Sequence, residues 1–213
     1  MKASVIIPVY NESKNILNVL KGIDRKYEII VVDDGSDTEI CPIVKGRAKC
    51  IRIEKNAGKG YACKKGIEKA SSDNIVFIDG DSQLDPSQIP QFVSALRSAD
   101  MAIGVRERRD LPLQRKLSNS FAVMMIFLLT KRKYKDVLCG FRAVKKDKFN
   151  MLGLKRNRYE FESEMIIKAS KNRLRIAEIP VSVRYKRKGM GFKESMKVVA
   201  YQMKELMRNE LHL

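Results

Sequence analysis

The chain has 213 residues and one histidine, His212, next to its end. Imidazole is the side chain whose ordinary pKa suits proton transfer near neutrality. A lone copy at a fraying terminus leaves no histidine for general-base work. The four cysteines, Cys41, Cys50, Cys63 and Cys139, form no Cys-x-x-Cys pair, so the spacing of a zinc site is missing. Long apolar runs are missing too. The longest, at 121–129, falls well short of the roughly 18–20 residues that span a bilayer. The chain opens on a strand-like run at 4–9 rather than on a signal peptide. A reduced, cytoplasmic setting is therefore expected, with a soluble or membrane-peripheral chain.

Acids are scarce relative to bases. There are 25 Asp and Glu against 43 Lys and Arg, a formal net charge of +18. Such a chain is drawn to anionic partners: nucleic acid, an acidic membrane surface or phosphorylated ligands. A hydrophobic content of 44% excludes wholesale disorder, and the length suits a single domain with a real core.

Short apolar runs alternate with helical patterns through the first half. Strands are expected at 4–9, 28–32, 50–53, 75–78 and 101–105, and helices at 11–23, 59–70 and 86–97. This alternation predicts an α/β fold, a mostly parallel central sheet with helices on both faces. The second half differs. Helices are expected at 113–130 and 159–171, an extended segment or edge strand at 175–185, and an amphipathic helix at 192–211. Residues 1–110 would form a ligand-binding half and 111–213 an acceptor half.

The run Asn74-Ile-Val-Phe-Ile-Asp-Gly-Asp-Ser-Gln83 is the most informative. Asp79 and Asp81, two apart on a continuing strand, would point the same way and reach one hard cation, Mg²⁺ or Mn²⁺. Gln83 continues the spacing with a neutral oxygen, and Gly80 lies between. In an open parallel sheet, ligands sit at the carboxyl ends of the strands. Pro8-Val-Tyr-Asn-Glu12 stands at one such end, where Tyr10 would lie against a base and Glu12 accept hydrogen bonds. Asn11 would alternatively cap the helix. Asp33 and Asp34 end the next strand, where an acid binds a ribose hydroxyl or base edge, or else forms a tight turn. Asn56-Ala-Gly-Lys-Gly60 is not a phosphate-binding P-loop, yet it would bring Lys59 near a diphosphate or serve as a structural turn.

In this order the motifs resemble glycosyltransferase family two, and within it the dolichyl-phosphate mannose synthases and other polyprenyl-phosphate glycosyltransferases. The resemblance implies a GT-A, Rossmann-like nucleotide-sugar-binding domain and a metal-dependent, inverting transfer. It implies that Pro8, Tyr10, Glu12, Val32 and Asp34 hold the nucleotide. Asp79, Gly80, Asp81 and Gln83 would surround metal and diphosphate. Arg106 would lie near the reacting phosphates, and Arg115 with Ser118 or Asn119 would grip an acceptor phosphate. Asp136, the segment Cys139-Gly-Phe-Arg142 and Glu164 match further family positions. Arg187 and Lys193 resemble the basic loop that closes over the donor, although Arg187-Lys-Gly-Met-Gly-Phe-Lys193 departs from the family's usual Arg-x-x-Gly-x-Ser-Lys.

The chemistry agrees with that resemblance. A hydroxyl acceptor usually needs a base, whereas a phosphate monoester with a second pKa near ~6 is already largely dianionic at neutral pH. Clustered arginines suit such an acceptor through bidentate contacts. The expected partners are therefore GDP-mannose or a UDP-sugar, a polyprenyl or dolichyl phosphate, and an anionic membrane surface met at its cytoplasmic face. The apolar run at 121–129, between Arg115-Lys116 and Lys131-Arg-Lys133, suits the headgroup boundary. A soluble sugar or protein hydroxyl as acceptor is the nearer rival. A sugar nucleotidyltransferase would want a Gly-rich loop with Arg just after the first strand, which is missing. Nucleic-acid binding has only charge in its favour, without a recognition motif.

Overall fold

The computed structural model describes residues 1–107, 113–184, 200–201 and 203–204. Arg187, Lys193 and nearly all of the helix expected at 192–211 lie outside the described residues. Seven strands form one sheet: β1 (Ser4–Val9), β2 (Glu28–Asp34), β3 (Lys49–Ile53), β4 (Asn74–Phe77), β5 (Met101–Arg106), β6 (Arg142–Lys145) and β7 (Ile176–Val181). Their order is β3-β2-β1-β4-β6-β5-β7. All neighbours are parallel except β6, which runs antiparallel to both β4 and β5. The expected mostly parallel α/β sheet is present, and strands from both halves of the chain build it.

Alternation along the buried strands supplies two cores. Val5, Ile7 and Val9 of β1 pack with Val19, Val44 and Phe92, which belong to α1 (Ile16–Lys21), α2 (Cys41–Val44) and α4 (Ile89–Ala95). Ile6, between them in sequence, faces the other way. It shares a core with residues of α3 (Lys59–Lys69), α5 (Leu113–Thr130), α6 (Lys146–Leu152) and α7 (Glu160–Lys171). Phe77, Phe149 and Phe161 meet there with ring centroids 5.9–6.1 Å apart.

Several local expectations change. The helix expected from residue 11 begins only at Ile16, because Asn11 adopts φ 57° and turns the chain. Its side chain exchanges hydrogen bonds with Asp37, tying the loop after β1 to the loop after β2. The helix expected at 86–97 is a 3-10 turn, Pro86–Gln88, followed by α4. Strand β6 and helix α6 were not foreseen. Strand β7 lies at the sheet edge, where Pro180 is tolerated because one side of the strand has no ladder. Cys41 and Cys50 form a disulfide between α2 and β3, contrary to the reduced setting expected from the strand-like opening of the chain. Cys63 and Cys139 are buried and free.

Two buried charges fix the loops. Asp33 is fully buried. It accepts from the backbone N–H of Ser36 and Ile40 and pairs with Arg52 at 2.6 Å, so its role is structural. Arg142 is also buried and donates to the carbonyls of Cys139, Val137 and Glu162 at 2.6–2.9 Å. The guanidinium thereby binds the loop before β6 to the first turn of α7.

Glu28 opens β2 and joins three other segments. It accepts hydrogen bonds from Ser4 and Ser71 and pairs with Lys49 at 2.7 Å. Burial works against its charge, but the bonds from Lys49, Ser4 and Ser71 outweigh it and hold the carboxyl at about 2 instead of 4.5. The stability this adds is present above pH 4.5 and is lost as pH falls towards 2; it amounts to roughly 3 kcal/mol. Thermal melts of wild type and Glu28→Gln between pH 7 and pH 2.5 are expected to differ most at neutral pH and converge in acid. A constant difference would refute this assignment.

Candidate active site

The parallel strands β1, β2, β4 and β5 all end at one edge of the sheet, and there a cleft of about 490 Å³ opens. Because β6 runs the opposite way, the loop leading into it reaches the same edge and adds Leu138, Cys139 and Gly140 to the wall. The mouth of β1 contributes Pro8, Tyr10 and Glu12. Tyr10 is half exposed, with its ring free to meet a flat ligand. Glu12 is oriented by the side-chain amide of Asn15.

Asp34 lines the cleft at the end of β2. Its two carboxylate oxygens accept from the backbone N–H of Ala57 and Gly58 at 2.9 and 2.8 Å. Burial pushes its pKa up, and those two bonds only partly offset the rise. Gly58 has φ 103°, and a Cβ there would run into the backbone of Asn157. The glycines of residues 56–60 therefore let the start of α3 abut the segment before α7, which is how Lys59 enters the cleft. Val32, by contrast, is wholly buried in the core and does not line the cleft. It shares a face of β2 with Asp34 but lies two residues back from the strand's end.

Asp79 and Asp81 both line the cleft, though not for the expected reason. Strand β4 ends at Phe77, and the two acids sit on a turn that continues through Ser82 at φ 59°. The turn, not a continuing pleat, brings them together. Burial first, then the charge of Asp79, pushes the Asp81 carboxyl up to about 6. Gln83 departs from its expected role. Its side-chain nitrogen donates to Asp81 at 2.6 Å and its oxygen accepts from Arg115 at 3.3 Å, so it links acid to arginine.

Lys59 bridges two acids on different elements. Its ammonium lies 2.5 Å from Asp79 Oδ1 and 2.7 Å from Glu162 Oε1. Burial disfavours the charge, but Asp79 and Glu162 overcome it and hold the amine well above lysine's ordinary value. Glu162 is buried, and its Oε2 has no hydrogen-bond partner. Gly140 lies directly against the pair, and a Cβ on it would meet Asp79 Oδ2 and come within 2.6 Å of Lys59 Nζ.

Arg106, Arg115 and Ser118 line the same cleft. Asp136 is buried and grips Arg106 through both oxygens, at 2.6 and 2.9 Å. It also accepts from the backbone of Leu138, so it positions the arginine and the loop and does not itself line the cleft. Asn119 likewise serves the loop, bonding Val137 N and Lys135 O. Glu164 accepts from the backbone of Lys155 and Arg156 and pairs with Lys168, away from the cleft. The helix acids that line the cleft are Glu160 and Glu162. Glu162, Arg158 and Tyr159 escaped the sequence reading, because Glu160, Glu162 and Glu164 alternate and only the helix register separates them.

A hard divalent cation fits this donor set. Asp79 and Asp81 supply carboxylate oxygens, and burial, then the neighbouring Asp79 charge, raises Asp81. Among the described residues no group of three His, Cys, Asp or Glu side chains converges on a metal position. A bound phosphate or water would supply further ligands. No free thiol serves as a nucleophile: burial raises Cys63, and raises Cys139 to about 12.

Comparison with known proteins agrees with this geometry. The family model described as glycosyl transferase family 2 matches residues 4–183. A dolichol-phosphate mannosyltransferase of Pyrococcus furiosus is 32% identical over 207 residues, covering 89% of this chain and 58% of that longer protein. A UDP-N-acetylglucosamine–dolichyl-phosphate N-acetylglucosaminyltransferase of Methanococcus voltae is 32% identical over 213 residues, covering 85% of each chain. Among solved structures, glucosyl-3-phosphoglycerate synthase of Mycobacterium tuberculosis, in complex with Mn²⁺, UDP and glucosyl-3-phosphoglycerate, superposes with a TM-score of 0.73 at 22% identity. The match covers 96% of this chain and 80% of that one, and it establishes likeness of fold.

The packing of Gly140 yields a prediction. In Gly140→Ala the new methyl displaces the ends of two flexible side chains rather than backbone, so melting should change little. Because a shift of about 1 Å can cost on the order of 100-fold in a positioned site, binding of nucleoside diphosphates in Mn²⁺ should fall by at least about tenfold. Unchanged binding measured by calorimetry would contradict the account.

Proposed function

The chain belongs to glycosyl transferase family 2, and from that premise we propose that it moves a hexose, with inversion, from a nucleotide sugar to a polyprenyl or dolichyl phosphate. GDP-mannose is the leading donor. The observation that carries this reading is the cleft itself. Asp79 and Asp81 share it with Arg106 and Arg115, so carboxylates for a cation and guanidinium groups for phosphate line one space, and its described lining includes no histidine.

Asp79 and Asp81 would hold Mg²⁺ or Mn²⁺, which when bound neutralises charge on a departing diphosphate. Tyr10 stacks on the base, and Asp34 and Glu12 accept from the nucleoside. The acceptor phosphate is oriented by Arg115 and Ser118 at the start of α5. Arg106, fixed by Asp136, adds positive charge beside the reacting centre. A phosphate oxygen attacks the anomeric carbon, the bond from that carbon to the donor's diphosphate oxygen breaks, and the nucleoside diphosphate leaves with the electron pair. No proton has to be removed from a dianionic acceptor, so positioning and charge stabilisation suffice.

The lipid acceptor has two supports. Both relatives named above carry a dolichol or dolichyl phosphate in their names. Helix α5 also has two apolar faces. Ala122, Met125, Ile126 and Leu129 are buried, while Leu113, Leu117, Met124, Phe127 and Leu128 are exposed along the opposite side. Leu113 is 72% and Leu117 64% exposed, on the same helix that carries Arg115 into the cleft. With Lys116, Lys131 and Lys133 nearby, that face suits an anionic bilayer surface, and a peripheral attachment on the cytoplasmic side follows. No helix among the described residues is long and apolar enough to cross a membrane. A UDP-sugar donor is the second reading, favoured by the name of the Methanococcus voltae relative. A soluble acceptor is favoured by the glucosyl-3-phosphoglycerate bound in the structural neighbour.

The test is incubation with Mn²⁺ or Mg²⁺, a short polyprenyl phosphate and a panel of GDP- and UDP-sugars. Glycolipid should form with one donor, and Asp81→Ala should lower the rate by about 10³-fold. Donor hydrolysis without glycolipid would reject the lipid acceptor. In flotation with anionic vesicles, the double variant Leu117→Glu, Phe127→Glu should bind about tenfold less than wild type. Equal flotation would remove α5 from the membrane contact.

A further inference from the structure

The floor of the cleft already contains a cation. The Lys59 ammonium sits between Asp79 and Glu162, on contacts of 2.5 and 2.7 Å that join the turn after β4 to the first turn of α7. The arrangement is built and close. Glycine at position 140 is what leaves room for it, since a Cβ there would strike Asp79 Oδ2 and come within 2.6 Å of Lys59 Nζ. Glu162 is 6% exposed, and its second oxygen, Oε2, meets no hydrogen-bond donor. A buried carboxylate in that condition depends on its one cationic partner.

We infer that Lys59 is a resident counter-cation which denies Asp79 to a metal ion in the empty cleft and makes metal capture conditional on the donor's diphosphate. The inference rests on the metal-dependent reading above and goes beyond it by fixing the order of loading. With Lys59 on Asp79 Oδ1, a metal arriving alone meets one carboxylate whose charge is already offset and a second, Asp81, engaged by the Gln83 side chain and backbone. Two carboxylates so engaged are a poor site for a cation that keeps its waters firmly. A diphosphate changes the balance twice. Its oxygens are additional ligands, and its negative charge competes with Asp79 for the ammonium. Metal and nucleotide then enter together. A merely structural ion pair would be indifferent to metal, which separates the two roles.

The experiment is titration of Mn²⁺, read by the electron paramagnetic resonance signal of free ion, into wild type, Lys59→Met and Lys59→Arg, each with and without UDP or GDP. Wild type should bind Mn²⁺ about 100-fold more tightly with nucleotide than alone, and by reciprocity the nucleotide should bind correspondingly tighter with Mn²⁺. Lys59→Met should take up Mn²⁺ without nucleotide about tenfold more tightly than wild type, and its gain on adding nucleotide should shrink by the same factor. Lys59→Arg keeps the charge and should behave as wild type. Wild type that binds Mn²⁺ equally well with and without nucleotide would overturn the inference alone, as would a folded Lys59→Met with unchanged Mn²⁺ affinity. If Lys59→Met does not fold, the wild-type comparison decides. Failure of every protein to take up Mn²⁺ even with nucleotide would overturn the metal-dependent reading and this inference with it.

Discussion

Acidic side chains gathered at one edge of a parallel sheet repel one another, and the cleft depends on how that repulsion is contained. Two like charges ~4 Å apart cost about 4 kcal/mol at an effective dielectric of 20. Glu12, Asp34, Asp79, Asp81 and Glu162 all line one cavity. The fold answers each differently. Asp34 is capped by two backbone N–H groups, Asp79 and Glu162 share the Lys59 ammonium, and Asp81 rises to about 6. The protein thus offsets part of the negative charge before any ligand binds. The antiparallel β6 matters for the same reason. It brings Gly140 against Lys59 and, through Arg142, locks the cleft loop to α7.

The same cleft also carries the opposite charge. Arg106 is held by a buried aspartate and Arg115 by Gln83, so both guanidinium groups are oriented before any ligand arrives. Preorganised cations of this kind stabilise phosphate charge without reorganisation during reaction. Helix α5 carries Arg115 into the cleft and an exposed apolar face outward. The proposed transfer to a lipid-borne phosphate would draw on both properties of that helix.

Much of this was legible in the sequence. Strand–helix alternation in the first half gave the parallel sheet, since fully buried strands appear as short apolar runs. The strand ends marked by Tyr10, Asp34, Asp79 and Asp81 proved to be the cleft edge. Other features depend on contacts distant in sequence. Strand β6 is four residues long and is recognisable only from its partners β4 and β5. Lys59 lies in a motif that reads equally as a turn, and its meeting with Glu162 is a tertiary event. Asp33 and Asp34 are neighbours of one type, yet strand alternation sends one to Arg52 and the core and the other to the cleft. Asp136 looks catalytic by pattern and is buried behind an arginine. The Cys41–Cys50 disulfide follows no spacing rule and arises because α2 folds back on β3.

The central claim is that the acceptor is a phosphate dianion, steered by arginine and needing no base. The most direct measurement compares polyprenyl phosphate with the matching polyprenol as acceptors, under identical donor and Mn²⁺. The account predicts glycolipid from the phosphate and none from the alcohol. Comparable transfer to the alcohol would contradict it, because a base within the cleft would then have to remove the hydroxyl proton.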